Sequence, residues 1–140
     1  NQKSVHGLRS MNDGIHYTVL KGRSAVVKHS YKTGNAVDTL INIRNYQNVS
    51  YIERYEFSKD ENKILIATDI QPIYRRSFTA RFYIFNRGKE TLEPLYKERP
   101  QKLATFSPDA SKVGFVRNND IFIKDLASGE IKQITHDGEY

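Results

Sequence analysis

Short runs of alternating apolar and polar residues, each bounded by turn-forming residues, recur along the chain. The clearest of them, Phe78–Phe85, keeps the alternation over its full length. Successive side chains of a β-strand point to opposite faces, so a period of two predicts a strand with one buried face. No stretch shows the 3.6-residue period of an amphipathic helix. The pattern therefore predicts an all-β protein built from short strands.

A sequence repeat accompanies the strand pattern. The stretches YEFSKDENKILIATD and ATFSPDASKVGFVRN both contain Phe-Ser, an Asp two residues after the Ser, a Lys and then an apolar strand. Ser58 and Ser107 occupy the same place in these two copies. A weaker copy, LRSMNDGIHYTVLKG, opens the chain, with Ser10 and Asp13 before its strand. Ser and Asp side chains hydrogen-bond the backbone of tight turns, so we expect these residues to be structural.

Each copy continues into further strands. In the third copy, Asn118-Asn119 predicts a two-residue hairpin between strands Lys112–Arg117 and Asp120–Asp125, because Asn tolerates the left-handed conformation that such hairpins need. A glycine turn, at Gly34, Gly88 and Gly129 respectively, precedes the last strand of each copy. The other predicted strands are His16–Leu20, Ser24–His29 and Val37–Leu40 in the first copy, Thr79–Asn86 and Leu92–Leu95 in the second, and Ile131–Ile134 in the third.

Four antiparallel strands in about 40–50 residues are typical of one blade of a β-propeller. We therefore predict three blades, at residues 1–47, 48–97 and 98–140, with Phe57 and Phe106 pointing into the space between blades. A sandwich of short strands is the competing all-β fold, and the repeat favours the propeller. Propellers close with about four to eight blades, so the chain is expected to belong to a larger protein or to cover its open sheet edges by association.

Composition and charge exclude several classes of protein. The 140 residues include no cysteine, which excludes disulfides, thiolate metal sites and a cysteine nucleophile. The net charge is +6, but the 22 basic residues are interspersed with 16 acidic ones and form no basic block, which argues against nucleic-acid binding. No apolar run approaches the roughly 18 residues of a membrane span, so no membrane insertion is expected in this segment.

Motifs for catalysis or cofactor binding are missing from the chain. The four histidines, His6, His16, His29 and His136, do not pair at metal-ligand spacing, so no metal site is expected. The stretch around Ser24, GRSAV, lacks the second glycine of a nucleophile elbow and lies in a strand pattern. The sequence contains no glycine-rich phosphate-binding loop and no Ca²⁺ loop. We predict that the chain binds no cofactor and is not catalytic by itself.

Three segments together resemble a known family. GLRSMNDGIHYT, YRRSFTARFYIF and FSPDASKVGFVRNNDIFIKDLASGEIKQITHDGE are similar to the N-terminal β-propeller of the dipeptidyl peptidase IV family, in its bacterial form. This family belongs to the prolyl oligopeptidase clan of serine peptidases. The resemblance covers nearly the whole chain in order, and YRRSFTA is its most specific part. Ala110 departs from the usual glycine of the SPDG turn and is expected to strain that turn.

The resemblance implies an eight-bladed propeller that caps an α/β-hydrolase domain of the same polypeptide. The family removes N-terminal dipeptides with Pro or Ala in the second position, and its Ser-Asp-His triad lies in the hydrolase domain, outside this chain. The implied partners are a peptide substrate with a free N-terminus and that hydrolase domain. The implied parent is a homodimer located in the periplasm or cell envelope.

One functional residue is carried over from the family. The segment Tyr74–Ala80 matches the stretch that holds the propeller arginine of the family, and Arg75 takes its place. The resemblance implies that Arg75 binds the backbone carbonyl of the substrate's N-terminal residue. Arg76 stands where the family often has His and is expected to support the loop or face solvent. From the residues alone, an Arg-Arg pair before a strand is usually a solvated loop.

Two other functions stay open. The first is a periplasmic propeller that serves as a protein-interaction module without peptidase activity. The second is binding of nucleic acid through the positive charge, which would depend steeply on salt. A propeller fold does not decide between these functions, because propellers support many activities.

Overall fold

The computed structural model describes residues 6–47, 49–74, 77–96, 101–102, 104–117 and 120–134. The strands within these ranges form three four-stranded antiparallel sheets, in each of which the strands lie side by side in chain order. The first sheet contains β1 (His6–Ser10), β2 (His16–Lys21), β3 (Ala25–Ser30) and β4 (Ala36–Asn42). The second sheet contains β5 (Arg54–Phe57), β6 (Lys63–Tyr74), β7 (Ser77–Asn86) and β8 (Thr91–Pro94). The third sheet contains β9 (Ala104–Phe106), β10 (Lys112–Arg117), β11 (Asp120–Asp125) and β12 (Ile131–Gln133). The predicted all-β fold of three four-stranded blades is confirmed.

The chain divides into two compact units, Asn1–Tyr55 and Glu56–Tyr140. The first contains the first sheet and a 3-10 turn, Ile43–Asn45. The second contains most of the second sheet and all of the third. The blade boundaries at 47/48 and 97/98 stay a prediction, and Asn118-Asn119 lies outside the described residues, although the flanking Arg117 and Asp120 are paired.

The second unit has one hydrophobic core to which both of its sheets contribute. Phe106 packs against this core, and Phe115 and Phe122 stack with their ring centroids 5.5 Å apart. Phe115 is 2% exposed, so its ring is almost wholly removed from water. The buried members of the core are Leu65, Ala67, Ala80, Phe82, Ile84 and Leu95 from the second sheet and its edge, and Val113 and Phe115 from the third. The predicted inward position of Phe106 is confirmed, and Phe57 is half-buried.

The first unit has its own core and one buried polar contact. The hydroxyl groups of Thr18 and Tyr55 are hydrogen-bonded at 2.9 Å, and both residues are buried. The Arg9 guanidinium carbon lies 5.3 Å from the centre of the Tyr55 ring. Burial raises the pKa of Tyr55, so its hydroxyl stays protonated and can serve as a hydrogen-bond donor.

The repeated Ser-Asp turns have the same hydrogen bonds in the second and third sheets. The Ser107 hydroxyl donates to Asp109 at 2.9 Å and accepts the Lys112 N–H at 3.0 Å. The Asp109 carboxylate also accepts the N–H of Ser111 at 3.0 Å. The corresponding bonds join Ser58, Asp60, Asn62 and Lys63, with Ser58 donating to Asp60 at 2.6 Å. The predicted structural role of these side chains is confirmed.

The first copy of this turn differs from its prediction. Met11, rather than Ser10, occupies the position of Ser58 and Ser107, because the Met11 N–H donates to the carbonyl of His16 at 2.9 Å. Asp13 keeps the role of the repeat Asp and accepts the N–H groups of Ile15 and His16. Ser10 instead bonds the hydroxyl of Tyr31. Met11 has no side-chain hydroxyl, so this copy lacks the Ser–Asp bond and keeps the bonds that Asp13 accepts.

Two kinds of turn hold a residue in the left-handed backbone region. In the Ser-Asp turns this residue is Glu61 or Ala110, with φ of 63° and 64°. The strain expected at Ala110 is therefore present. In the turns before the last strand of each sheet, the predicted Gly34 and Gly129 have φ of 76° and 80°. In the second sheet Gly88 lies in the predicted turn, but the left-handed residue of that turn is Glu90, at 57°. The turn there is fixed by the Glu90 N–H, which donates to the Asn86 carbonyl at 2.7 Å.

We predict that Asp109 makes stability depend on pH in the acid range. The Ser111 N–H, the Ser111 hydroxyl and the Ser107 hydroxyl hold the pKa of Asp109 at about 2, below its ordinary value of 3.8. Because the folded pKa is the lower one, this stabilisation is complete above about pH 4 and is lost as the pH falls through about 2. Thermal unfolding of the protein that carries this chain, followed from pH 2 to pH 6, should lose part of its pH dependence in Asp109→Asn. Asp38→Asn, at an exposed residue of β4, is the control, and an equal change in both variants would contradict the assignment.

We predict opposite responses from two glycine substitutions. Gly129→Ala should lower the free energy of unfolding by about 1–2 kcal/mol, because an Ala is strained at positive φ. Gly88→Ala should be neutral or stabilising by up to about 1 kcal/mol, because Gly88 has no positive φ and alanine restricts the unfolded chain. The new Cβ at position 88 would lie 3.4 Å from Asn86 Oδ1, which is ordinary contact. Chemical denaturation measures both values, and equal losses would place the left-handed residue of the second sheet at Gly88 after all.

Candidate functional site

The strands β6 and β7 are much longer than the others. They have 12 and 10 residues, whereas the remaining described strands have three to seven. Their pairing runs from Lys63 opposite Asn86 to Tyr74 opposite Ser77. The strand β8 accompanies only Tyr83–Asn86 of this hairpin. The hairpin therefore extends beyond the sheet, and we call residues 69–74 and 77–81 the arm.

A β-bulge marks the point where the arm leaves the sheet. The pairing shifts by one residue between Thr68 and Gln71, so β6 has an additional residue there. Asp69 lies in this bulge with φ of 56°. Its carboxylate accepts hydrogen bonds from Arg81 Nε at 3.3 Å and from Gln71 Nε2 at 3.2 Å. A bulge bends its strand and increases the local twist, so this group of residues sets the direction of the arm.

The β7 edge of the arm's base is held by Gln101, a residue of the connection to the third sheet. Ala80 and Gln101 exchange two backbone hydrogen bonds of 2.8 Å each. Gln101 is 1% exposed, and its side-chain Nε2 donates to the carbonyl of Tyr96 at 3.4 Å. The bridge continues the pairing on the β7 edge past the end of β8. The base of the arm is thus hydrogen-bonded within the hairpin at Asp69 and on its β7 edge at Gln101.

The base of the arm is also anchored in the hydrophobic core. Ala80 is fully buried, and Phe82 is 8% exposed. Ile70 packs against the same core from the β6 side, next to the bulge. Since the core side chains are close-packed, they resist movement of the backbone that carries them. The arm therefore extends from a rigid support.

A cationic side chain near the end of β10 stacks on an aromatic ring. The guanidinium carbon of Arg117 lies 4.9 Å from the centre of the Tyr96 ring. The Tyr96 ring is packed against the core, with its centroid 5.8 Å from that of Phe115. Sequence reasoning did not single out Arg117. Nothing in the local sequence distinguishes Arg117 from a solvated charge, because its stacking partner Tyr96 lies in the connection that precedes the third sheet.

The predicted substrate-binding residue, Arg75, and its neighbour Arg76 lie outside the described residues. The residues on either side of them in the sequence, Tyr74 and Ser77, pair with each other in the backbone register. Arg75 follows directly after the β6 strand of the arm in the sequence. Its role in binding substrate stays a prediction.

The structure shows other residues in structural positions. Ser24 lies in the turn between β2 and β3, where its N–H donates to the Lys21 carbonyl at 3.1 Å, so β3 begins one residue later than predicted. His16 Nδ1 is 2.6 Å from Asp13 Oδ2, a contact within one turn. Within the described ranges, no group of three or more His, Cys, Asp or Glu residues could hold a metal ion. In the same ranges, no helix is long and apolar enough to cross a membrane.

Comparison with known families decides the classification. Residues 58–140 match the model described as the dipeptidyl peptidase IV (DPP IV) N-terminal region, which is more than half of the chain. The chain belongs to this family. The resemblance stated from the sequence is confirmed.

Similarity to a solved structure extends over nearly the whole chain. The crystal structure of Porphyromonas gingivalis dipeptidyl peptidase 4 matches with a TM-score of 0.84 and 39% identity, over 95% of this chain and 20% of that one. The tricorn protease matches with a TM-score of 0.56 at 10% identity, which shows a shared fold and nothing more. The three sheets are thus blades of a DPP IV-type propeller.

Two fungal proteins are similar over part of the chain. The probable dipeptidyl-aminopeptidase B of Botryotinia fuckeliana is 40% identical over 84 residues, and that of Sclerotinia sclerotiorum is 39% identical over 84 residues. Each alignment covers 58% of this chain and 9% of the relative. The chain therefore spans about a tenth of the curated relatives that it matches.

Proposed function

We propose that the chain is the non-catalytic propeller portion of a DPP IV-like serine exopeptidase that removes N-terminal Xaa-Pro and Xaa-Ala dipeptides. The match of residues 58–140 to the DPP IV N-terminal region carries this proposal. The 39% identity to a dipeptidyl peptidase over 95% of the chain supports it independently. The propeller would control access of substrate and would contribute to its binding.

The arm gives this proposal a structural element. A substrate-binding side chain must be held at a fixed place relative to the reacting bond, because orientation supplies a large part of an enzyme's rate enhancement. The buried base, the Gln101 bridge and the bulge at Asp69 provide such a support. Arg75, in the sequence segment that joins β6 to β7, would bind the backbone carbonyl of the substrate's N-terminal residue. A guanidinium is always charged and has a rigid set of donors, which suits that contact.

The rest of the enzyme would come from elsewhere in the same polypeptide. An α/β-hydrolase domain with a Ser-Asp-His triad would supply the catalytic residues, and an eight-bladed propeller would complete the cap. The parent would act as a homodimer in the periplasm or cell envelope, on peptides with a free N-terminus. This chain by itself should therefore release no dipeptide from a peptide substrate.

We predict that Arg75→Ala greatly lowers activity in the full-length protein that carries this chain. Loss of one hydrogen bond to a charged group costs about 1.5–3 kcal/mol, or roughly a 10- to 150-fold loss in kcat/KM. Hydrolysis of a chromogenic Xaa-Pro substrate measures the effect. Arg76→Ala is the matched control in the same segment and should cost much less.

The same assay separates the proposal from its alternatives. Without any hydrolysis by the wild-type protein, the chain would be a propeller interaction module and not part of a peptidase. Activity that survives Arg75→Ala unchanged would keep the peptidase but return Arg75 to a solvated loop. Equal losses in the two arginine variants would point to general damage to the segment and would contradict a specific role for Arg75.

A further inference from the structure

The backbone of Asp69 is unusual for its position. Five residues other than glycine have positive φ in the described chain: Arg23, Glu61, Asp69, Glu90 and Ala110. Four of them lie between strands, where tight turns require this conformation. Asp69 alone among the five lies inside a strand, β6, at the bulge where the arm begins. Asp is one of the few residues that adopt the left-handed region readily, so the residue type fits this bulge.

The side chain of Asp69 joins the two strands of the arm at its base. Its Oδ2 accepts from Arg81 Nε on β7, and its Oδ1 accepts from Gln71 on β6. The side chains of Asp69 and Arg81 are 46% and 51% exposed. Water weakens an ion pair with this exposure, so the pair adds little to the stability of the fold. The effect of the Asp69–Arg81 pair is therefore on the geometry of the bulge, because the pair links the bulge to β7.

A small change in the direction of the arm at its base displaces the far end of the arm. Strands rise about 3.3 Å per residue, so Gln71–Tyr74, which contains a second register shift between Pro72 and Tyr74, extends at most roughly 10 Å beyond the bulge. A change of about 6° in direction at the base would move the far end by about 1 Å, and a misplacement of that size can cost an enzyme about 100-fold in rate. At the bulge the side chains of Asp69 and Arg81 are about half exposed, whereas Ala80 on β7 is buried and bridged to Gln101.

We propose that Asp69, together with Arg81, is a positioning residue for the peptidase reaction: the bulge that it stabilises aims the arm so that Arg75 reaches the substrate. The inference rests on the proposed function of Arg75 and adds the residues that set its position. Asp69 itself touches no substrate in this scheme.

The test measures coupling between Asp69 and Arg75 in the full-length protein. Asp69→Val disfavours positive φ and removes the carboxylate, and it should lower kcat/KM for a chromogenic Xaa-Pro substrate by about 10-fold. Asp69→Asn retains both the backbone preference and an acceptor oxygen, so it should stay within about 3-fold of wild type. In an Arg75→Ala background, Asp69→Val should have almost no further effect, because the group that it positions is gone.

Arg81→Gln provides a second variant that leaves the backbone preference of residue 69 unchanged. It should lower kcat/KM by about 3-fold, again only while Arg75 is present. Lys89→Gln, at an exposed cation in the turn after β7, is the matched control and should leave kcat/KM unchanged. If Asp69→Val fails to fold, the comparison of Arg81→Gln with Lys89→Gln still tests the inference.

Three results would overturn the inference. Losses that are equal with and without Arg75 would show a merely structural role for the bulge. An Asp69→Asn variant as impaired as Asp69→Val, with Arg81→Gln unimpaired, would show that the bulge geometry is not what matters. An Arg75→Ala variant with wild-type activity would remove the proposed function of Arg75 and this inference with it, whereas the first two results leave that function intact.

Discussion

The packing of β6 and β7 against β10 is the interaction on which the rest of the second unit depends. Leu65, Phe82 and Phe115 belong to one buried cluster, so the second and third sheets cannot separate without exposing it to water. Burial of such side chains is worth about 1.5–3 kcal/mol each, more than any single turn or exposed ion pair in the unit. Residues 64–68 of β6 are buried on both faces of the strand, so the whole inner part of β6 is held in the interior. The arm is an extension of these anchored strands and takes its rigidity from them.

Local hydrogen bonds determine where the strands end. The Ser-Asp turn occurs with the same bonds at Ser58 and at Ser107. In each turn the residue three positions after the Ser, Glu61 or Ala110, has positive φ. Neither residue is a glycine, so each turn tolerates backbone strain of about 1–2 kcal/mol that the side-chain hydrogen bonds offset. The turns therefore depend on the Ser and Asp side chains more than on the flexibility of the backbone, which explains why the motif is visible in the sequence.

Much of the fold could be predicted from the sequence because alternation and turn chemistry are local properties. The strands Lys112–Arg117 and Asp120–Asp125 have the bounds predicted for them. The errors have local causes as well: Met11 has no hydroxyl to mark its turn, and the turn at Asn86 places Glu90 where a glycine was expected. The length of β6 and the bulge at Asp69 could not be predicted, since they depend on which residues of β7 face β6. The bridge between Gln101 and Ala80 could not be predicted either, because the two residues are distant in sequence.

The inner and outer parts of the β6–β7 hairpin differ in how they are held. The inner part, up to Thr68, is paired and buried as blade strands require, and it would be present in any stable propeller. The outer part continues past the end of β8, and its base at Ala80 is buried. The Asp69–Arg81 contact holds this base within the hairpin, and the Gln101 bridge holds it on the β7 edge. The support at Asp69 and Gln101 is the structural observation that agrees with the function proposed for the arm.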